Sequence, residues 1–240
     1  MVIRPSKIFL FEVLRKSIQS HPCAISLDAG AAGFKNRWMF LHGSYYGLDL
    51  DLQRLRTGLA STSGTSNTFG IHADVSHLEA LPTGSVGCVV STNTLYCLPP
   101  EDRLRAIQQL CELTSPDGIM LIELSCDEAF AQEVDIAKRY FTSVEIFYFK
   151  NIFSRWYEHF FEKNGFLGSH PIAEKKPFKA IAWLFSRVEY LTRNSAKLNR
   201  HTLLRCAKKR DQAAHPFDLS RIPRLDERLF TLLNDETGTR

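Results

Sequence analysis

Apolar positions along the chain fall into short continuous runs separated by stretches with helical spacing. Ile8, Phe11, Val13, Leu14 and Ile18 lie near a helical period from Ile8 to Gln19, and His21-Pro22 ends it. Ala24 to Leu27 reads as a buried strand, Phe34 to Leu41 as a short helical or irregular piece, and Tyr45 to Leu50 as a second strand. A helix follows through Leu52, Leu55 and Leu59. Ala60 to Thr68 has the Ser, Thr and Gly content of a surface loop. Phe69 to Ala73 and the valine-rich Gly87 to Ser91 are the third and fourth strands. Glu101 to Leu113 is a helix with Leu104, Ile107, Leu110, Cys111 and Leu113 inward, and Pro100 precedes its start. Ser115-Pro116-Asp117-Gly118 predicts a turn before a fifth strand, Ile119 to Leu124. This alternation predicts an α/β fold: a doubly wound, mainly parallel sheet.

Beyond the fifth strand the pattern changes. Glu128 to Arg139 predicts a helix and Ser143 to Phe149 a sixth strand, while Asn151 to Asn164 and Phe178 to Thr192 predict two helices rich in aromatics. His201 to Ala207 is a last strand. Residues 211–240 read as a polar tail with one apolar patch, Leu229 to Leu233. The expected organisation is one domain over 1–210, with a helical insertion at about 150–200 before the last strand, and a C-terminal extension over 211–240. Phe153, Trp156, Tyr157 and Phe160 in the insertion suit a lid that lines an acceptor pocket or makes a peripheral membrane contact. They equally suit a cover that packs on the sheet or forms a homodimer face.

Composition narrows this picture only a little. A net charge of +4, with its excess late in the chain, does not predict nucleic-acid binding in the absence of a recognisable module. The six cysteines, at 23, 88, 97, 111, 126 and 206, have no paired short spacing and read as reduced thiols, with no metal site. The start does not resemble a signal peptide and no run is long enough to span a bilayer, so the expected location is cytoplasmic.

Candidate chemistry lies at the strand ends, where doubly wound sheets bind ligands. The first strand ends in Asp28-Ala29-Gly30, the second in Gly47-Leu48-Asp49, the third in Ala73-Asp74-Val75 and the fourth in Ser91-Thr92-Asn93. The small residues from Ala29 to Gly33 let a ligand approach the backbone, and Asp28 can accept bonds from that ligand or fix the loop itself. Asp49 stands about 20 residues beyond the glycine turn, a spacing that suits both hydroxyls of a ribose. Asp74 can accept a purine amino group while the Val75 N–H meets a ring nitrogen. A nicotinamide fingerprint begun at Gly30 fails at Ala32 and Lys35, and no Gly-Lys-Ser/Thr occurs.

With these motifs in order, the stretch from Ala24 to Leu124 resembles the class I S-adenosylmethionine-dependent methyltransferases, a Rossmann-like family. The resemblance implies a seven-stranded sheet with the last strand antiparallel, and S-adenosyl-L-methionine as cofactor. It places cofactor contacts on Asp28, Ala29, Gly30, Gly33, Asp49, Leu50, Asp74, Val75, Thr92 and Asn93. Three departures stand out. Ala32 and Phe34 occupy the second and third glycine positions, Phe34 being bulky enough to narrow the loop. Gly87 replaces the acid usual before the fourth strand. The short gap between Gly33 and Tyr45 implies a truncated first helix.

The expected reaction is methyl transfer to a small molecule, with oxygen of a sugar or other metabolite preferred because the Asn/Asp-Pro-Pro-Tyr/Phe signature of amino methyltransferases is absent. An alcohol acceptor needs a general base, for which Tyr96, His159 and His170 are candidates without motif support. The alternative is a non-catalytic methyltransferase-like subunit with a decayed loop that binds a protein partner.

Overall fold

The computed structural model describes residues 4–65, 67–161 and 176–233. The chain forms two compact units, one of residues 18–123, 131–145 and 204–240, the other of residues 1–17, 124–130 and 146–203.

The strands are β1 (Ile25–Ala29), β2 (Ser44–Asp49), β3 (Thr68–His72), β4 (Val86–Ser91), β5 (Thr114–Ser125), β6 (Phe141–Asn151), β7 (Asn199–Lys209), β8 (Arg224–Asp226) and β9 (Leu229–Thr231). They form one sheet in the order β6-β7-β5-β4-β1-β2-β3-β9-β8. β1 pairs in parallel with β2 on one side and β4 on the other, so both of its edges are hydrogen-bonded, and its residues 26–29 are buried as in the interior of a parallel sheet. Parallel pairing continues from β2 to β3 and from β4 to β5. β7 runs against β5: Lys209 Nζ donates to the Thr114 carbonyl at the start of β5, and the Cys126 N–H donates to the Arg200 carbonyl beyond its end.

The helices obey their end signals. α2 (Leu52–Ser61) starts at Asp51, whose carboxylate accepts the Arg54 N–H at 3.0 Å. α3 (Pro100–Leu113) opens on proline with Glu101 and Asp102 in its first turn, where the helix dipole favours acids. α3 joins α4 (Phe130–Tyr140) through a buried Arg103–Glu133 ion pair at 2.5 Å.

Two expectations are corrected. The sheet has nine strands rather than seven, because the tail is not merely polar: Leu229 to Thr231 pairs in parallel with Gly70 to His72, and Arg224 to Asp226 returns as its antiparallel neighbour. Leu229 is fully buried there, and the Gly70 N–H donates to the Arg228 carbonyl at 2.8 Å. The predicted turn at 115–118 is an irregularity inside β5. Val86 pairs with Thr114 and Cys88 with Ile119, so the extra residues bulge outward without ending the strand. The piece at 34–41, expected as short helical or irregular with the first helix truncated, holds a 3-10 turn at Arg37–Met39.

The smaller unit holds α1 (Pro5–Gln19), α5 (Ile152–Phe161) and α6 (Lys176–Thr192). Tyr157, Phe161 and Ala182 form its core, with Ile8, Phe178 and Phe185 packed against them. Phe9 meets the edge of Tyr190 at 4.8 Å, and the Tyr157 hydroxyl donates to the Phe178 carbonyl at 3.0 Å. Glu12 accepts from both Arg187 and Tyr190, at 2.5 and 2.7 Å.

Candidate cofactor site

β1 delivers Asp28 and Ala29 to a turn fastened to β2: the Gly30 and Ala31 N–H groups both donate to the Leu48 carbonyl, at 2.8 and 2.9 Å. Gly30, Ala32 and Phe34 have φ of +79, +47 and +58°. This is the left-handed region, in which side chains other than glycine are strained. The turn keeps the shape of a three-glycine loop with only one of the three residues a glycine.

Phe34 does not narrow the loop as its bulk predicts. Its side chain is 4% exposed and is sunk into the core. A Cβ on Gly47 would lie 2.3 Å from its Cε1, and one on Gly58 2.8 Å from its Cγ. Two glycines, one on β2 and one on α2, make the room that the ring fills, and Tyr45 meets its edge at 5.4 Å.

Asp28 is buried. The Tyr45 hydroxyl donates to Oδ2 at 2.8 Å and the Asn36 amide to Oδ1 at 3.3 Å; the same amide donates to Thr92 Oγ1 at 3.3 Å. Burial pushes the carboxyl up to about 6, against the opposing pull of those two hydrogen bonds. Of the two roles expected for Asp28, the contacts present are those of fixing the loop.

Asp49 is half-buried at the end of β2. Its Oδ2 accepts the Ala32 N–H at 2.7 Å and its Oδ1 the Asp51 N–H at 3.0 Å, leaving one lone pair on each oxygen for a ligand. Leu50 beside it is 60% exposed, an apolar surface next to the acid. Asp74, just past β3, accepts the Ser76 N–H and hydroxyl on Oδ1, at 2.9 and 2.7 Å; its Oδ2 lies 3.9 Å from His77 Nδ1, and Val75 is buried. Gly33 faces open space, with nothing within 4 Å of where its Cβ would be.

The segment after β4 closes on the same turn. A Cβ on Gly30 would fall 1.8 Å from Thr94 Oγ1, so only glycine fits beneath that threonine. Thr92 is buried and Asn93 is exposed at φ +59°. The Asn93 N–H donates to Glu123 Oε2 at 3.0 Å, and Glu123 is fully buried near the end of β5. The Ser91 hydroxyl, at the end of β4, is buried without a hydrogen-bond partner. Tyr96 is half-buried, its hydroxyl donating to Asn93 Oδ1 at 3.2 Å, whereas His159 is exposed on α5 of the smaller unit. His170 lies outside the described residues. Among those residues, no group of three or more His, Cys, Asp or Glu could hold a metal ion.

The structure thus joins the β1 turn to Asp49 by a direct hydrogen bond and Asp28 to Thr92 through the Asn36 amide. Asn36, Tyr45, Thr94 and Glu123 were not expected there. Glu123 alone left a signal, a single acid within the apolar run from Ile119 to Leu124.

Residues 27–122 match the family described as methyltransferase domain. Over that stretch the chain is similar to the family. Solved structures with the same fold include the [4+2]-cyclase SpnF, with 14% identity over 83% of this chain and 80% of that one at a TM-score of 0.55. The N-methyltransferase NodS from Bradyrhizobium japonicum, in complex with S-adenosyl-L-homocysteine, has 14% identity over 84% and 86% at 0.54. The YcgJ protein from Bacillus subtilis has 10% identity over 84% and 99% at 0.54. No curated protein matches the sequence. No helix among the described residues is long and apolar enough to cross a membrane.

Proposed function

We propose that this protein methylates a small molecule in the cytoplasm, with an oxygen of a sugar or other metabolite as acceptor. The observation that carries the reading is Asp49: it is bonded to the turn through Ala32 yet keeps a free lone pair on each oxygen, beside the exposed Leu50. Asp49 would take the ribose hydroxyls, Leu50 one face of the adenine and Asp74 with the Val75 N–H its polar edge. The Gly30–Gly33 turn and the Thr92–Asn93 segment would hold the amino-acid tail. Bound S-adenosylmethionine supplies an electrophilic methyl group on a sulfonium.

The chain's own contribution is then to hold the acceptor in line and keep water away, which can account for most of the acceleration in such a displacement. Tyr96 is the base candidate of the larger unit, since its hydroxyl reaches the Asn93 side chain. Nucleic-acid substrates are disfavoured by the absence of a binding module.

Calorimetry with S-adenosylmethionine and S-adenosylhomocysteine tests the reading. Binding is expected, and Asp49→Ala is expected to weaken it roughly 10- to 100-fold, the value of lost hydrogen bonds to a charged group. Absence of binding at millimolar ligand would overturn it in favour of a non-catalytic subunit. An unchanged affinity in the variant would move the ribose away from Asp49.

A further inference from the structure

The outward side of α5 is apolar: Ile152, Phe153 and Trp156 are all at least half exposed, while Ser154, Tyr157, Glu158 and Phe161 are buried on its other side. α6 likewise exposes Ile181 and Leu184. Phe185 joins the two faces, its ring 6.1 Å from Phe153 and 6.4 Å from Trp156. The exposed apolar surface is therefore continuous and two helices wide, the kind of patch that marks a contact site rather than scattered surface residues.

The charges of the pair are sorted just as sharply. Among the described residues, the only carboxylates on α5 and α6 are Glu158 and Glu189, which are 4% and 0% exposed. Glu158 accepts from Ser6 and lies 3.7 Å from Lys150 Nζ; Glu189 accepts the Ser154 hydroxyl and the Asn151 N–H. Of the cations, Lys179 is exposed and Arg155 half-exposed, while Arg187, its guanidinium over the Trp183 ring at 4.9 Å, is paired with Glu12 of α1. Among the described residues, neither α5 nor α6 exposes a carboxylate, and their solvent side carries aromatics, aliphatics, Lys179 and Arg155.

We propose that this face docks on an anionic lipid surface, lying in the headgroup region without spanning the bilayer. Tryptophan and phenylalanine sit well at the depth between headgroups and acyl chains, and flanking Lys and Arg gain from anionic headgroups. A second copy of this chain fits the face less well. Two such faces in contact would set Lys179 and Arg155 against like charges, with Glu158 and Glu189 buried and Glu12 already held by Arg187 and Tyr190. The docking is independent of the acceptor and of cofactor binding.

Flotation of the full chain with phosphatidylglycerol–phosphatidylcholine vesicles tests this. Binding is expected there, falling as salt is raised, and not with phosphatidylcholine alone. Phe153→Ser combined with Trp156→Ser is expected to reduce partitioning at least about 10-fold, given the apolar area removed. The far-UV spectrum and calorimetric cofactor titration of this variant should stay as in the parent. No flotation with anionic vesicles overturns the proposal. So does equal flotation of the double variant, or a dimer in sedimentation equilibrium that the same substitutions abolish. If the double variant does not fold, a chain with Trp38→Phe and Trp183→Phe isolates Trp156. Quenching of its fluorescence by brominated lipid then supports the docking, and absence of quenching overturns it.

Discussion

The ring of Phe34 fills the space that a side chain on Gly47 would need: a Cβ there would come within 2.3 Å of Phe34 Cε1. A residue that looks from sequence like damage to a ligand loop is instead a core residue. It reaches the core because the backbone at 34 is left-handed, at φ +58°, which turns the side chain away from the loop.

The pairing predicts strong coupling. Gly47→Ala should cost about 1–3 kcal/mol through overpacking, and Phe34→Ala about 3–5 kcal/mol through the cavity it leaves. Joined in one chain they should cost less than the sum, because the alanine methyl then enters the emptied space. Urea denaturation of the two single variants and the double variant measures the difference, and strict additivity would show that ring and glycine do not compete for one space.

Ala32 is left-handed as well, at φ +47°, but its methyl group fills no comparable space in the core. Ala32→Gly should stabilise the protein by roughly 0.5 kcal/mol, since relief of about 1–2 kcal/mol of backbone strain exceeds the extra entropy that glycine loses on folding. A small upward shift of the urea midpoint with unchanged slope is the expected readout; a downward shift would mean the loop is not strained at this residue.

Asp28 should leave a mark on the pH dependence of stability. Its folded carboxyl titrates at about 6 against an ordinary value of 3.8, so the folded chain binds the proton more tightly than the unfolded one. Stability from this group is therefore present at low pH and is lost as pH rises between those two values, by roughly 3 kcal/mol in total. Asp28→Asn cannot titrate. The stability difference between parent and variant should change across that window and be flat above it, and urea denaturation at a series of pH values reads it directly.

Glu123 holds the segment after β4 through the Asn93 N–H, from a fully buried position. Glu123→Ala should destabilise the fold by about 1.5–3 kcal/mol, the value of a lost hydrogen bond to a charged group. It should also weaken binding of S-adenosylhomocysteine while leaving the secondary structure intact. Calorimetry alongside circular dichroism checks both, and an unchanged affinity would separate the β4 segment from the ligand.

Much of the fold was legible because its signals are local. A parallel strand covered on both faces must be apolar throughout, as from Val86 to Ser91, and a helix such as α3 announces its inner face by spacing and its start by proline. Strand β9 was seen only as an apolar patch in a polar tail. Three residues make a strand only when an edge is offered, and the edge of β3 lies far off in sequence. The bulge in β5 reads as a turn for a similar reason: Pro116, Asp117 and Gly118 favour one locally, but pairing with β4 resumes beyond them.

The sequence by itself determined the alternation of strand and helix, the central parallel sheet and the positions of acids and small residues at its strand ends. These follow from periodicity and backbone preference, which act over a few residues. The tertiary structure alone decided what those residues do. Asp28 turned inward to Tyr45 and Asn36, Phe34 sank against Gly47 and Gly58, and Glu123 reached across to Asn93. Each outcome depends on which distant groups share a space or a hydrogen bond, and burial there outweighs the local preference that a sequence displays.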